Sequence, residues 1–395
     1  MHVVGSTKTG KSKFLEGLML EDMLAGRTIG LIDPHTDLSR NLLRSLLTAG
    51  YFNSETALQN VIYVDPSRKD FVIPFNVLAA DFDTYTVAQM VLEAFRRNWP
   101  EALSEAPRFE NVALIETNQT LVQLPKFLTN KEFREDLLAQ VSNAEVVEFF
   151  HDRFDKWGRE APLWIESVLN KVTEFTFNPI LKRMLGAQDN RLNFRRLIDE
   201  GKTLIFDLGR CEPKTRKLLG CLIVTGIEQA IMSRKDVSES ARRPFYLFMD
   251  EFQNFAATTG SNEPMERIFS EARKYKGYMH VAHQTLSQLN ELLLAGVDQV
   301  GIKVTFQVGR KDSEVLARSH FDVSPDVVKH TPNTDTQMPL YESLPNQWER
   351  FTSWIKNLKN RRAWVKRRSK PSVLIRTKKL PTYTASEEDA QELET

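Results

Sequence analysis

The run Gly5-Ser6-Thr7-Lys8-Thr9-Gly10-Lys11-Ser12 constrains this chain more than any other segment. It spells G-x-x-x-x-G-K-[ST], a pattern in which consecutive backbone N–H groups turn inward around phosphate oxygens. Such a loop needs a buried strand before it and a helix N-terminus behind it, whose positive end faces the phosphates. His2-Val3-Val4 supplies the strand. From Lys13 to Ala25, Phe14, Leu15, Leu18, Met19 and Met23 recur at helical spacing, and Gly26 closes the run. Gly5, Ser6, Thr7, Lys8, Thr9, Gly10, Lys11, Ser12 and Lys13 are therefore the expected phosphate cradle. Lys11 would reach the β- and γ-phosphates, and the Ser12 hydroxyl would ligate Mg²⁺. Only four residues precede the loop, whereas an ordinary strand has about five or six. Either this strand is unusually short or the chain lacks material once standing before it, and the second is the expectation.

Composition excludes some classes. The 395 residues suffice for two or three domains, and 53 Lys and Arg against 52 Asp and Glu leave a net charge of +1, which singles out no partner. Cys211 and Cys221 form neither a metal-ligand pattern nor a disulfide framework, in keeping with a reducing cytoplasm. No apolar run approaches the roughly 18 residues of a membrane span, and no signal peptide is visible. A membrane anchor would have to lie outside this chain.

Three patterns follow one another. Residues 1–83 alternate in α/β fashion, with strands at Thr28–Ile32 and Val61–Val64 around a helix from Leu38 to Leu47. Residues 84–196 read as an all-α insertion: Ala88 to Arg97, Asn111 to Leu124, Glu132 to Val141, Glu145 to Trp157 and Leu163 to Phe177, with Pro100, Pro107, Pro125, Pro162 and Pro179 at the joints. Residues 197–330 resume the alternation. Strands are expected at Thr203–Leu208, Phe245–Met249, Tyr278–Ala282 and Ile302–Val308, with a long helix from Lys214 to Met232. Strands separated by helices imply a mainly parallel sheet covered on both faces. The α/β halves make one P-loop NTPase domain interrupted by the all-α insertion, and 331–395 form a basic C-terminal segment with an acidic tail.

A phosphate loop works with a carboxylate near Mg²⁺ and a base for the attacking water. The apolar strand Phe245–Met249 ends in Asp250-Glu251, the Walker B pattern: Asp250 would hold Mg²⁺ and Glu251 would polarise the water. The competing reading is an ordinary solvated strand end, which loses force once a phosphate loop shares the chain. Gln284, at the tip of His280-Val281-Ala282-His283, is placed to sense the γ-phosphate, with His283 a second candidate. Arg273 is a candidate arginine finger for a neighbouring subunit's nucleotide, its alternative being a basic solvated helix end; Arg310 is a weaker rival.

These segments, together with Ile32-Asp33-Pro34-His35-Thr36-Asp37-Leu38, Pro74-Phe75-Asn76-Val77-Leu78, Met249-Asp250-Glu251-Phe252, Ala272-Arg273-Lys274-Tyr275 and Ala282-His283-Gln284, stand in an order that resembles the HerA/FtsK superfamily of DNA-pumping ATPases. Within it the chain looks like the soluble ATPase part of the type IV secretion coupling proteins of conjugation. The resemblance covers residues 1 to about 320. It implies a RecA-like ATPase, usually a hexameric ring, that binds ATP and Mg²⁺ between subunits and moves DNA through a central channel. It further implies relaxase or secretion-machine partners and a place at the inner face of the cell membrane. Lys11, Ser12, Asp250, Glu251 and Gln284 inherit the catalytic roles, and Arg273 the trans-acting one. The Asp33-Pro34-His35 segment would lie near the nucleotide at a strand's C-terminal end, with no chemical step assigned. Two departures stand out: Lys8 occupies a position usually held by glycine, and the membrane-anchoring N-terminal region is absent.

Lys356 to Lys379 carries many cations and no acidic residue. Clustered cations neutralise nucleic-acid phosphates, and Trp354 and Trp364 could stack on exposed bases. The alternatives are two strands, Arg362 to Lys366 and Ser372 to Thr377, with the tryptophans in a core and the cations solvated, or an anionic membrane surface. Glu387 to Glu394 is expected to be disordered. Three functions stay open: an ATP-driven DNA translocase, a nucleotide-switched assembly component, and a non-catalytic nucleic-acid-binding module.

Overall fold

The computed structural model describes residues 1–98, 107–157, 161–255, 269, 271–330 and 340–393. Nine strands form one sheet, numbered in chain order with a separate two-stranded ribbon. They are β1 (His2–Val4), β2 (Thr28–Asp33), β3 (Val61–Val64), β4 (Thr203–Asp207), β5 (Phe245–Met249), β6 (Gly277–His283), β7 (Ile302–Thr305), then β10 (Arg362–Arg367) and β11 (Val373–Arg376). The ribbon pairs β8 (Val328–His330) with β9 (Leu340–Tyr341). The order in the main sheet is β11-β10-β7-β1-β6-β5-β2-β4-β3. From β7 to β3 every pair is parallel; β10 runs antiparallel to β7 and β11 antiparallel to β10. The basic C-terminal segment thus enters the main sheet as a hairpin.

The central strands are buried along their whole length, as β2 and β4 show. That is why they read as continuous apolar runs and not as alternating ones. β1 is only three residues long but lies between β6 and β7, with Val3 and Val4 fully buried. On one face, α1 (Lys11–Leu24) and α2 (Asp37–Thr48) bury Leu15, Met19, Leu42 and Leu46 with Val3, Ile29 and Leu31. On the other face the Pro213–Met232 helix and the insertion share one continuous hydrophobic cluster with Leu204, Phe206 and Met249. Within the described part of 84–196 there are helices and turns and no strand. A buried ion pair, Arg97 to Glu228 at 2.6 Å, ties the insertion's first helix to Pro213–Met232.

The chain departs from the sequence reading in four places. The expected helix from Asn111 to Leu124 is two helices, Pro107–Glu116 and Leu124–Thr129, joined by a turn. Asn118 adopts φ 52°, and the Thr117 hydroxyl donates back to the Ala113 carbonyl at 2.7 Å, which together stop the first helix. Glu145 to Trp157 is helical in three pieces, with a widened turn at Phe149–Arg153 that stacks Phe149 on Phe109 and presents Phe150 and Phe154 to the core. The strand expected at Ile302–Val308 stops at Thr305.

The acidic end is ordered: Glu387–Leu393 is a helix, and Ala390 is buried against the α1–α2 face. Charge repulsion there is outweighed by anchors upstream. The Tyr383 hydroxyl donates to Glu16 at 2.9 Å, its ring lies under the Lys13 ammonium and the Arg44 guanidinium, and Ser386 caps the helix through Asp389.

Candidate nucleotide site

At the C-terminal edge of β1 the chain turns into the loop. A Cβ on Gly5 would stand 2.6 Å from the Phe306 Cβ, so only glycine lets the loop pass there. The Ser6 amide donates to the Gln307 carbonyl at 2.9 Å, and the Thr9 hydroxyl closes the loop on the Ser6 carbonyl at 2.7 Å. Lys8 and Gly10 take positive φ, 65° and 109°. Lys8 therefore adopts the left-handed conformation that glycine would hold at lower cost. α1 begins at Lys11, with the Phe14 amide on the Gly10 carbonyl.

Strand order decides what faces the loop. β6 separates β1 from β5, so the tips of three adjacent strands present Gly5, Gln284 and Asp250 in a row. Lys11 crosses that gap. Its ammonium donates to Asp250 Oδ1 at 3.0 Å and to Glu251 Oε1 at 2.9 Å, all three side chains being buried. Glu251 stands at φ 45°, and its other oxygen accepts from the Gln253 amide at 2.8 Å. Burial alone would raise the Glu251 carboxyl. The Lys11 charge and hydrogen bonds from Lys11, Gln253 and Gln284 outweigh burial and hold it below its ordinary value. Thr7 donates to the Gln284 side-chain oxygen at 3.2 Å.

A cavity of about 460 Å³ opens here, lined by Ser6, Thr7, Lys8, Gly10, Lys11, Ser12, Lys13, Asp250, Glu251 and Gln284. Asp33, His35, Asp37 and Leu38 complete its wall. Gly5 and Thr9 shape the loop from behind. The Lys13 ammonium is engaged by Glu16 at 2.7 Å and by Tyr383.

Other residues singled out in the sequence lie elsewhere. His283 points into the sheet, stacked on His2 with 2.6 Å between their Nε2 atoms, and its Nδ1 donates to the Thr285 carbonyl at 2.9 Å. A carbonyl only accepts, so the His2 Nε2–H donates to His283. Burial drives the His283 pKa down to about 4, which keeps the ring neutral. Arg273 is exposed in a short turn before the first residue of β6. It is separated from the chain's own cavity by the length of that strand, roughly 20 Å. Arg310 is taken up by Glu314 and, through two nitrogens, by Glu349.

The sequence reading missed Asp207 and Gly209, although an apolar run ending in Asp was its signal at Asp250. Asp207 Oδ1 accepts from the Thr36 hydroxyl at 2.7 Å and from the Gly209 amide at 3.1 Å, and Oδ2 from Tyr63 at 2.8 Å. Asp33 is fully buried and accepts from the His35 and Ser39 amides at 2.9 and 2.8 Å. Burial lifts its pKa to about 6 against those hydrogen bonds, with Asp207 adding to the rise.

Among the described residues no cluster of three or more His, Cys, Asp or Glu side chains could hold a metal unaided. The oxygens of Ser12 and Asp250 instead fit Mg²⁺ brought in with phosphates, because that ion keeps water and phosphate oxygens and needs one or two protein ligands. The Lys11 ammonium between two buried carboxylates marks the place as one that holds positive charge.

Fold and site together define a RecA-like α/β domain with a phosphate loop, a carboxylate pair and a strand-tip glutamine at one sheet edge. The chain is similar to the bacterial conjugative coupling protein TrwB. The unbound monoclinic form gives a TM-score of 0.68 at 18% identity over 97% of this chain and 85% of that one. TrwB in complex with ADP and Mg²⁺ gives 0.66 at 17%, covering 98% and 87%. VirB4 of Thermoanaerobacter pseudethanolicus gives 0.55 at 13%, covering 96% and 89%. Identities this low establish a shared fold. No protein-family model and no curated protein sequence matches the chain. No helix among the described residues is long and apolar enough to cross a membrane.

Proposed function

We propose that this protein is an ATP-hydrolysing coupling ATPase of conjugative or related type IV secretion that translocates DNA as a ring. The observation that carries the reading is Lys11 held between Asp250 and Glu251 in a cavity also lined by Gln284. The likeness to TrwB, which has been seen with a non-hydrolysable ATP analogue, supports it. Residues 1–83 and 197–330 would form the NTPase domain, 84–196 the all-α insertion, and 331–395 the C-terminal segment that adds a hairpin to the sheet.

The triphosphate would lie along the amides of Ser6 to Ser12 and draw the Lys11 ammonium off the carboxylates. Ser12 and Asp250 would hold Mg²⁺, which supplies charge neutralisation at the phosphates. Freed of Lys11, Glu251 orients the attacking water and accepts its proton. Gln284 would register loss of the γ-phosphate, a role supported by its hydrogen bond from Thr7 of the loop. Arg273, remote from its own cavity and exposed, would serve the nucleotide of a neighbouring subunit.

The test is ATP turnover by the purified chain at low salt, with and without single- and double-stranded DNA, beside Lys11→Ala and Glu251→Gln. Turnover that rises with DNA and falls by about a hundredfold or more in both variants is the expected result. Nucleotide binding with turnover indifferent to DNA would replace the motor with a nucleotide-switched assembly component.

A further inference from the structure

The basic hairpin is not used by the chemistry above; its Trp364 packs against a small hydrophobic cluster, yet Trp354 of the adjoining Leu344–Lys356 helix stays at the surface. Along β10 the side chains alternate: Ala363 is buried against the α1 face, while Arg362, Trp364 and Lys366 face the opposite way. Register pairs Arg362 with Arg376 and Trp364 with Leu374, which puts all four on one face. The Leu344–Lys356 helix packs beside them and lays Trp354 on Trp364, ring centroids 5.7 Å apart and 17° from parallel. Phe321 and Phe351 fix the pair from below.

Trp354 nevertheless remains 43% exposed and Leu374 41% exposed. They line a cavity of about 400 Å³ with Ser353, Asn357, Leu358, Lys359, Arg362 and Trp364. Among the described residues no carboxylate pairs with Lys359, Arg362 or Arg376. The acidic groups of the adjoining segment are already engaged, Glu342 by Arg350 and Glu349 by Arg310.

We propose that this pocket is a base-stacking subsite for single-stranded nucleic acid, and that its occupancy is transmitted to the phosphate loop. An exposed indole rimmed by unpaired cations matches one unstacked base and its flanking phosphates. Duplex bases, already stacked, cannot enter it. A polyanion neutralises these cations and offers bases to the indole at the same time.

Two hydrogen-bonded connections run from the pocket to the loop. Arg361, between Lys359 and Arg362, stands at φ 66°, and its amide donates to the Thr9 carbonyl at 2.9 Å with its backbone against Gly10. The Gln307 side chain donates to the Lys356 carbonyl at 3.0 Å, and the Gln307 carbonyl accepts from the Ser6 amide. A strand that engages Lys359, Arg362 and Trp354 therefore acts on neighbours of residues bonded to Ser6 and Thr9 of the phosphate cradle. The site itself stands apart from the proposed ATPase reading; the transmission rests on that reading only in needing nucleotide to bind at the loop.

The experiment measures fluorescence anisotropy of a labelled oligothymidylate of about a dozen nucleotides at low salt, beside an abasic oligomer of equal charge. Wild-type protein is expected to favour the thymidylate roughly tenfold or more. Trp354→Ala should abolish that preference, Trp354→Phe should restore most of it, and Lys359→Glu with Arg362→Glu should weaken both oligomers and flatten the salt dependence. The last two side chains are solvent-exposed, so that variant keeps its fold and remains informative if Trp354→Ala does not. Equal affinity for the two oligomers overturns the subsite. So does self-association, or binding to anionic vesicles, that depends on Trp354 while the oligomer is ignored. A fluorescent ATP analogue then reads the connection: saturating thymidylate should shift its affinity several-fold, and nucleotide should shift thymidylate affinity by the same factor. Unchanged affinity with intact thymidylate binding overturns the connection alone. Neither measurement requires hydrolysis, so an inactive ATPase would leave both readable.

Discussion

Replacing Lys11 by Met tests the nucleotide-free arrangement directly. The ammonium makes two short charge-assisted hydrogen bonds, 3.0 Å to Asp250 and 2.9 Å to Glu251, and all three side chains are at most 8% exposed. Methionine fills the same volume and leaves two adjacent buried carboxylates without their cation. Breaking a buried pair from one side costs about 3–5 kcal/mol. Glu251 keeps its bond from Gln253, and Asp250 still accepts from the Glu251 amide at 3.1 Å, so the lower end, about 3 kcal/mol, is expected. For a chain of 395 residues unfolding as one unit this corresponds to a melting temperature lower by about 4 °C.

The pH dependence carries the stronger test. In the wild type Glu251 sits below its ordinary pKa, so it contributes stability that is present above the unfolded value and is lost as pH falls through the folded one. Without Lys11 the bonds from Gln253 and Gln284 still oppose burial, but the two largest lowering causes are gone, so the ionised carboxyl contributes less stability at neutral pH. The gap between the two proteins should therefore be widest near pH 7.5 and close towards about pH 4.5. Thermal melts of nucleotide-free protein in chelator, across that range, measure it. In a double-mutant cycle Glu251→Gln should relieve part of the Lys11→Met loss, with a coupling of about 1–3 kcal/mol. Equal melting temperatures at pH 7.5, or a gap independent of pH, would refute the buried Lys11–carboxylate contact.

Three further outcomes are expected. Asp33, with its pKa raised to about 6, penalises the folded state increasingly as pH rises from about 4 to 6; Asp33→Asn should flatten that part of the stability profile in thermal melts, and an unchanged slope would point to other groups. Gly209→Ala places a Cβ 2.4 Å from the His35 carbonyl carbon and the Thr36 nitrogen, both backbone atoms, so the loop beside the nucleotide cavity must move; a loss of about 1–3 kcal/mol in chemical unfolding is expected, together with weaker nucleotide binding. Ala390→Glu should lift the C-terminal helix off α2 and expose the Tyr383–Ser386 stretch to limited proteolysis, while the hairpin and the cavity keep their spectroscopic signatures.

How much of this could be read beforehand depends on how far apart in the chain the cooperating residues are. The loop from Gly5 to Ser12 was legible because its geometry is its spacing. The Asp250-Glu251 pair was legible because a buried strand announces itself by composition and stops where charge begins. The order of the strands was not: nothing local to residues 277–283 says that they run between β1 and β5, and that insertion brings Gln284 to Thr7. Apolar periodicity carries on from Asn111 to Leu124 across Thr117 and Asn118, where side-chain bonding and a left-handed residue end the helix. Charge alone predicts a disordered acidic tail, yet one tyrosine hydroxyl and one alanine methyl order it, and neither is visible in composition.

The row of aspartates along the sheet edge shows why residue type at a strand end does not by itself separate structure from chemistry. β3, β4, β2 and β5 each run into an aspartate, Asp65, Asp207, Asp33 and Asp250. Three of them turn back on their own loops two residues on: Asp65 accepts from the Ser67 amide, Asp207 from Gly209 and Asp33 from His35. Those bonds fix the exits of the strands and would persist whatever occupied the cavity. Asp250 instead accepts from the next amide in the chain and from the lysine of the phosphate loop. Asp65 also holds a cation, Arg210 at 3.0 Å, but neither lines the cavity, whereas the partner of Asp250 is the lysine of the phosphate loop, so among these four carboxylates Asp250 is the one whose charge a bound nucleotide would release. The distinction lies in the partner, 239 positions away in sequence, and only the fold supplies it.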